Sequence, residues 1–210
     1  RDVERSRGLG DVYKRQVLVL LFNEKIGLSE SLRYGIFQTI SIITTTGFTI
    51  TDLDNMGILL PILIMLLAFV GACSGSVGGG IKAWRINILI RLAFDNITKI
   101  MHPTAVSTVK FNGEKIEQKQ IESVFSFVAI YVLIAILFLL VLMLQNIDFY
   151  SAFSAVSATL NNLGPGLGAV SENYGSLSTV TKITLCFAMI LGRLEIFTLL
   201  VVLTPAFWRR

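Results

Sequence analysis

Two short stretches of the chain are suited to holding a small cation through backbone oxygen. They are Thr44, Thr45, Thr46 and Gly47, and Asn161, Asn162, Leu163 and Gly164. Selecting a dehydrated cation takes oxygens that replace its water, held near an axis by backbone free to turn its carbonyls inward. Each stretch ends in glycine, which reaches positive φ without a Cβ penalty. A single loop of this kind is compatible with an ordinary capped turn, whereas two at corresponding places in a repeat point to a paired filter. Two further features stand out: Gly71, Gly75, Gly78, Gly79 and Gly80 interrupt an apolar helical pattern, and Arg193 sits within another. Other reactive chemistry is thin. His102 is the only histidine, and Cys73 and Cys186 lie far apart without metal-ligand spacing, so both are expected as small buried hydrophobes. With no nucleophile–base pair and no paired acids at depth, an intramembrane enzyme, a transition-metal site and a bound cofactor are not expected.

These loops need elements to hold them, and the chain supplies them twice. Tyr34, Phe37, Ile40 and Ser41 line up with Tyr150, Phe153, Val156 and Ser157 at a period of about 116. The helical patterns over 32–43 and 149–160 are too short to cross a bilayer core of about 30 Å. Each runs into irregular polar sequence, the pattern of a re-entrant pore loop, where unpaired backbone is tolerated because it lines water or is buried in protein. The expected fold class is therefore all-α integral membrane: tandem helix–pore loop–helix repeats with re-entrant pore helices and a glycine-broken inner helix. Residues 17–95 form a truncated repeat, with pore helix 32–43, filter 44–49 and broken inner helix 56–95. A cytoplasmic connection follows over 96–120. Residues 121–210 form a second repeat, with outer helix 121–144, pore helix 149–160, filter 161–168, inner helix 178–203 and a cytoplasmic tail. Arg1–Gln16 breaks from this pattern, being polar and aperiodic, and reads as a non-native or artefactual leader.

Composition agrees with a membrane setting. Apolar residues make up 53% and charged residues 15%, too little charge to clothe a soluble domain of this size. The uncharged run Val124–Leu144 is long enough to span. The net charge of +4 marks topology rather than nucleic acid, since Lys82, Arg85, Arg91, Lys99, Lys110, Lys115 and Lys119 cluster between Lys82 and Glu122. The segments 44–57 and 148–181 hold Asp52, Asp54, Asp148 and Glu172 and no Lys or Arg. The positive-inside rule puts the Lys82–Glu122 connection in the cytoplasm, and Arg209 and Arg210 with it. Asp52, Asp54 and Glu172 either concentrate cations at the mouth or, the plainer reading, decorate solvated turns. Asp148 is expected as a helix N-cap.

The glycine-rich break faintly echoes a phosphate loop, but Lys82 does not directly follow Gly80 and no strand precedes it. Consecutive glycines each cost a helix about 1 kcal/mol relative to Ala, so the chain is expected to leave helical geometry there. A tightly packed helix crossing built on small residues is the alternative. A charge such as Arg193 within a membrane helix usually faces a cavity or a partner. Glu195, two positions on, lies on another helix face. Arg193 either faces the pore and donates to carbonyls of the 71–80 segment or forms a structural salt bridge to another helix.

The residues of 41–49, 71–82, 159–168 and 191–200 together closely resemble the Trk-type potassium transporter membrane subunit of the Trk/Ktr/HKT superfamily. The likeness runs from about Val17 to Arg210. It implies that the two repeats are the third and fourth of a four-repeat pore, so that this part alone does not conduct. It further implies a gate formed by Gly71, Gly75, Gly78, Gly79, Gly80 and Arg193, and K+ as the transported ion bound at Thr44–Gly47 and Asn161–Gly164. A homodimer in the bacterial inner membrane and a cytosolic nucleotide-binding regulatory subunit, which would carry any nucleotide, are implied as well. Gly47 and Gly164 resemble the K+-preferring members, with a Na+-permeating member as the near alternative. A secondary transporter for a small organic solute, built on broken helices, is the reading from another class.

Overall fold

The computed structural model describes residues 28–50, 59–71, 78–102, 110–111, 114–194 and 196–208. The leader Arg1–Gln16, Val17–Phe22, Asp52, Asp54, Cys73, Gly75, Glu195, Arg209 and Arg210 lie outside the described residues.

A twelve-residue helix, Phe149–Leu160, sits at the centre of the packing. In chain order the helices are α1 (Leu28–Ile43), α2 (Leu59–Val70), α3 (Ala83–Met101), α4 (Gln118–Met143), α5 (Phe149–Leu160), α6 (Thr179–Arg193), α7 (Ile196–Leu203) and α8 (Pro205–Trp208). The alternation of Ala and Ser along α5 explains its place. From Ser151 to Leu160 every residue but Phe153 is buried, and side chains this small let backbones approach from several sides. Phe127, Tyr131, Phe138 and Leu142 of α4 and Leu185 and Ala188 of α6 close on it. Met65 and Ala68 of α2 join Ile42, Leu163 and Leu167 in a second apolar cluster. The Ser157 hydroxyl donates to the Met65 carbonyl at 3.2 Å, tying α5 to α2.

At about 1.5 Å per residue, α5 is about 18 Å long and α4 about 39 Å. Among the described residues, α4 alone is long and apolar enough to cross a membrane. Its outward side presents Phe125, Leu133, Ile136, Leu137 and Leu140, a surface that calls for an apolar covering, whether lipid or protein. Asn146, at φ 61°, turns the chain after α4, and the Ser151 amide donates to Asp148 Oδ2 at 2.9 Å. Asp148 is thus the N-cap of α5, as its sequence position predicts. Ser178 does the same for α6, accepting from the Thr181 amide.

At its described ends the glycine-rich stretch leaves helical geometry, as expected: α2 ends at Val70, Gly71 turns at φ 65°, and the Ile81 amide donates to the Phe69 carbonyl at 3.0 Å. Elsewhere the structure differs from sequence expectation in several particulars. The helix that follows continues past Asp95 to Met101, so the connection expected over 96–120 begins and ends in helix. The Lys99 ammonium pairs with Asp95 at 2.8 Å one turn away and supports that extension. The connection also holds a two-residue antiparallel pair, Lys110–Phe111 with Glu114–Lys115, where an all-α chain was expected. The inner helix read as continuous over 178–203 is divided, because α6 stops at Arg193 and α7 starts at Ile196. Apolar periodicity runs through that point, so tertiary contact decides it: Ile196 turns into the core around α4 and α5. Cys186 is exposed rather than buried.

The backbone amide bond at the α5 N-cap holds the Asp148 carboxyl below its ordinary value of 3.8. A carboxylate with a depressed folded-state value stabilises fully above the unfolded value, and the contribution fades as pH falls through the folded one. Replacing Asp148→Ala is expected to cost about 1 kcal/mol near neutral pH. The difference from wild type should shrink below pH 3.8. Thermal unfolding of the detergent-solubilised pair across pH measures both.

Candidate functional site

Helices α1 and α5 end in loops of the same build. In the first, the Thr44 amide donates to the Ile40 carbonyl, Thr45 to Ile42, and both Thr46 and Gly47 to Ser41. In the second, Asn161 donates to Ser157, Asn162 to Thr159, and both Leu163 and Gly164 to Ala158. The two sets superpose bond for bond at an offset of 117 (161 − 44, 164 − 47). Ser41 therefore corresponds to Ala158, and the period of 116 read from the helix residues slips by one at the loops. Positive φ recurs at the same steps, 55° at Thr45 and 82° at Gly47, then 55° at Asn162 and 101° at Gly164. Only glycine takes the last of these values without strain.

The loops face each other. A methyl placed on Gly47 would overlap the Leu163 carbonyl oxygen and press on Pro165, so this position is glycine for close approach as well as for φ. Among the described residues, the only hydrogen bond received by a carbonyl of Thr44–Gly47 or Asn161–Gly164 comes from the Tyr174 hydroxyl, to Gly164, at 3.2 Å. The amides are spent on the helix ends and the carbonyls are left over.

Asn161 anchors the second loop. It is completely buried, its amide nitrogen donates to the Ser157 carbonyl at 2.8 Å, and its Oδ1 accepts from the Tyr131 hydroxyl of α4 at 2.6 Å. In the first loop the Ser41 hydroxyl donates to the Phe48 carbonyl at 2.7 Å, and the Thr44 and Thr46 hydroxyls bond each other at 2.7 Å.

The residues singled out elsewhere collect beneath the second loop. Methyls on Gly79 and Gly192 would strike the carbonyls of Asn161 and Leu160, and Gly80 lies against Ala68, Gly71 and the Asn161 side chain. Gly78, Gly80, Lys82, Tyr131, Gly192 and Arg193 line a cavity of about 150 Å³. Arg193 therefore comes to the glycine segment at the last residue of α6, where α6 breaks, rather than in mid-helix. Gly75 is outside the described residues. Among the described residues, the Asn162 side-chain nitrogen Nδ2 is buried without a hydrogen-bond partner, close to Gly192. No group of three or more His, Cys, Asp or Glu gathers among the described residues, and His102 is exposed at the end of α3.

Sequence reasoning missed the Tyr131–Asn161 bond, the Gly192 contact and the Tyr174 bond. Gly192 had a visible signal, a glycine beside the arginine that interrupts an apolar helical pattern. The two tyrosines had none, since neither belongs to a spacing or a repeat.

The architecture is that of a helical membrane transporter. The crystal structure of the potassium transporter TrkH from Vibrio parahaemolyticus matches with a TM-score of 0.88 at 40% identity, over 97% of this chain and 44% of that one. The chain is 45% identical over 175 residues to the Trk system potassium uptake protein TrkH of V. parahaemolyticus serotype O3:K6, covering 83% of this chain and 36% of that protein. It is 43% identical over 181 residues to the TrkH protein of Halomonas elongata, covering 86% and 38%. The family model described as TrkH, cation transport protein, matches residues 22–210, and the chain belongs to that family. It spans well under half the length of the curated relatives it matches.

Tyr131→Phe removes one hydroxyl and leaves the buried Asn161 oxygen unsatisfied. A loss of about 1–3 kcal/mol is expected, measured as a lower Tm in detergent; an unchanged Tm would show that the bond does not hold the loop.

Proposed function

We propose that this chain contributes two of the pore-lining loops of a potassium uptake subunit, with Thr44–Gly47 and Asn161–Gly164 supplying carbonyl oxygens to a dehydrated K+. One observation carries this reading: two loops of identical hydrogen-bond register face each other with their amides tied back and their carbonyls largely unbonded. Oxygens in that state replace a hydration shell. Both loops also follow the C-terminal, partially negative end of a short helix, which favours a cation. An anionic organic substrate would call for helix N-termini instead, so the organic-solute reading has nothing comparable behind it. The names of the relatives, potassium uptake proteins, point the same way.

The glycine segment and Arg193 form the gate in this reading. The shared cavity under Asn161 supports it, since a guanidinium there sets a positive barrier on the cation's path beyond the filter. Helices α1–α3 belong to one pore repeat and α4–α7 to the next. The bilayer is the bacterial inner membrane, with the Lys82–Gln120 side in the cytoplasm. A homodimer and a cytosolic nucleotide-binding regulatory subunit complete the assembly, and the α3–α4 connection is the part placed to touch that subunit.

The test is a graft: residues 22–210 replacing the matching part of a full-length TrkH-family protein, expressed in a host deficient in potassium uptake. Growth at low K+ and uptake of rubidium are expected, and failure of both in correctly inserted protein would overturn the proposal. In the same background Arg193→Ala is expected to raise cation flux several-fold. Unchanged flux would remove Arg193 from the gate.

A further inference from the structure

The two loops share their amide bonding but not their bracing. In the first loop the brace is internal, with the Ser41 hydroxyl of the pore helix donating to the carbonyl of Phe48. At the offset of 117 defined by the loop hydrogen bonds, the place of Ser41 is taken by Ala158, which has no hydroxyl. Gly164 is also unsupported sterically, because a methyl there would find nothing within 4 Å. It sits at φ 101°, in a region open to glycine alone, so no side-chain packing at this residue fixes the direction of its carbonyl.

The second loop takes its hydroxyl from outside itself and at a different carbonyl, since at this offset Phe48 answers to Pro165 whereas the bonded residue is Gly164. Tyr174 donates to the Gly164 carbonyl at 3.2 Å from the segment joining the second loop to α6. Its ring packs against the same apolar cluster that holds α4, α5 and α6. The turn that carries it is itself fixed, by the Gly175 amide donating to Asn173 Oδ1 and the Lys182 ammonium donating to the Gly175 carbonyl, each at 2.8 Å. Burial pushes the phenol up to about 12, so it stays a neutral donor at any pH the protein works in.

Resting on the pore reading above, we propose that Tyr174 is a positioning residue that sets ion discrimination at the second loop by holding the Gly164 carbonyl. A carbonyl held at a fixed angle cannot fold in around a smaller ion, and a donated hydrogen bond lowers the field it offers to any ion. Both effects favour K+ over Na+ at that ring of oxygens. Without the hydroxyl, Gly164 is free to reorient and the penalty against Na+ falls.

Tyr174→Phe removes the donor and keeps the ring. In the graft described above, K+-over-Na+ discrimination in uptake is expected to fall about five-fold, in the range one hydrogen bond supports, at equal membrane protein amount. A second measurement needs no transport: in purified protein, the difference between the rises in Tm produced by K+ and by Na+ should narrow in the variant. Unchanged discrimination and an unchanged difference, or a fall in protein amount with discrimination retained, would reduce Tyr174 to a packing residue and overturn the proposal. If the wild-type graft takes up no K+, the pore reading itself fails. The ion-dependent Tm comparison distinguishes that outcome from loss of the brace alone.

Discussion

A peptide group without a partner at membrane depth costs several kcal/mol, and the loops after α1 and α5 are built in a way that meets such a constraint. The two loops meet it economically. Each turns two successive amides back onto one carbonyl in the last turn of the preceding helix, Ser41 in one case and Ala158 in the other. Donors are thereby removed from the surface the loop presents, while acceptors remain. The helices before them must stop short for this to happen, which is why α5 ends after twelve residues at a fully buried Asn161.

The surrounding packing follows from the same requirement. A short helix buried on nearly every side takes small residues, and the Ser–Ala alternation of α5 admits α2, α4 and α6 at close range. Glycines at 79 and 192 let two further segments reach the carbonyls of Asn161 and Leu160. Arg85 of α3 lays its guanidinium 3.8 Å from the Phe127 ring of α4, a cation–π contact that holds the helix after the glycine segment against α4. The start of the second loop is thus held by the glycine segment, α6 and α4, with Tyr131 supplying the polar contact.

Much of this was written in the sequence, because it depends on local rules. A run of glycines forbids a continuous helix, an Asp before Phe149 caps one, and two polar stretches ending in glycine mark loops that need positive φ. The offset of 117 between the loops was hidden because side-chain similarity in the helices favoured 116; only backbone bonding shows that Ser41 answers to Ala158. The break after Arg193 had no clear local mark for a similar reason, since no Gly or Pro follows directly and the apolar residues resume beyond Glu195. Contacts made by Tyr131 and Tyr174 join residues 30 and 10 positions apart and follow no period, so nothing local announces them.

The bond from the Ile81 amide to the Phe69 carbonyl pins the two ends of the glycine segment side by side. Within it Gly71 and Gly79 have no room for a side chain, the first against the Gly79 carbonyl and the second against the Asn161 carbonyl. A bulkier residue at either place would therefore push the segment against the second loop, so the two move as one mechanical unit.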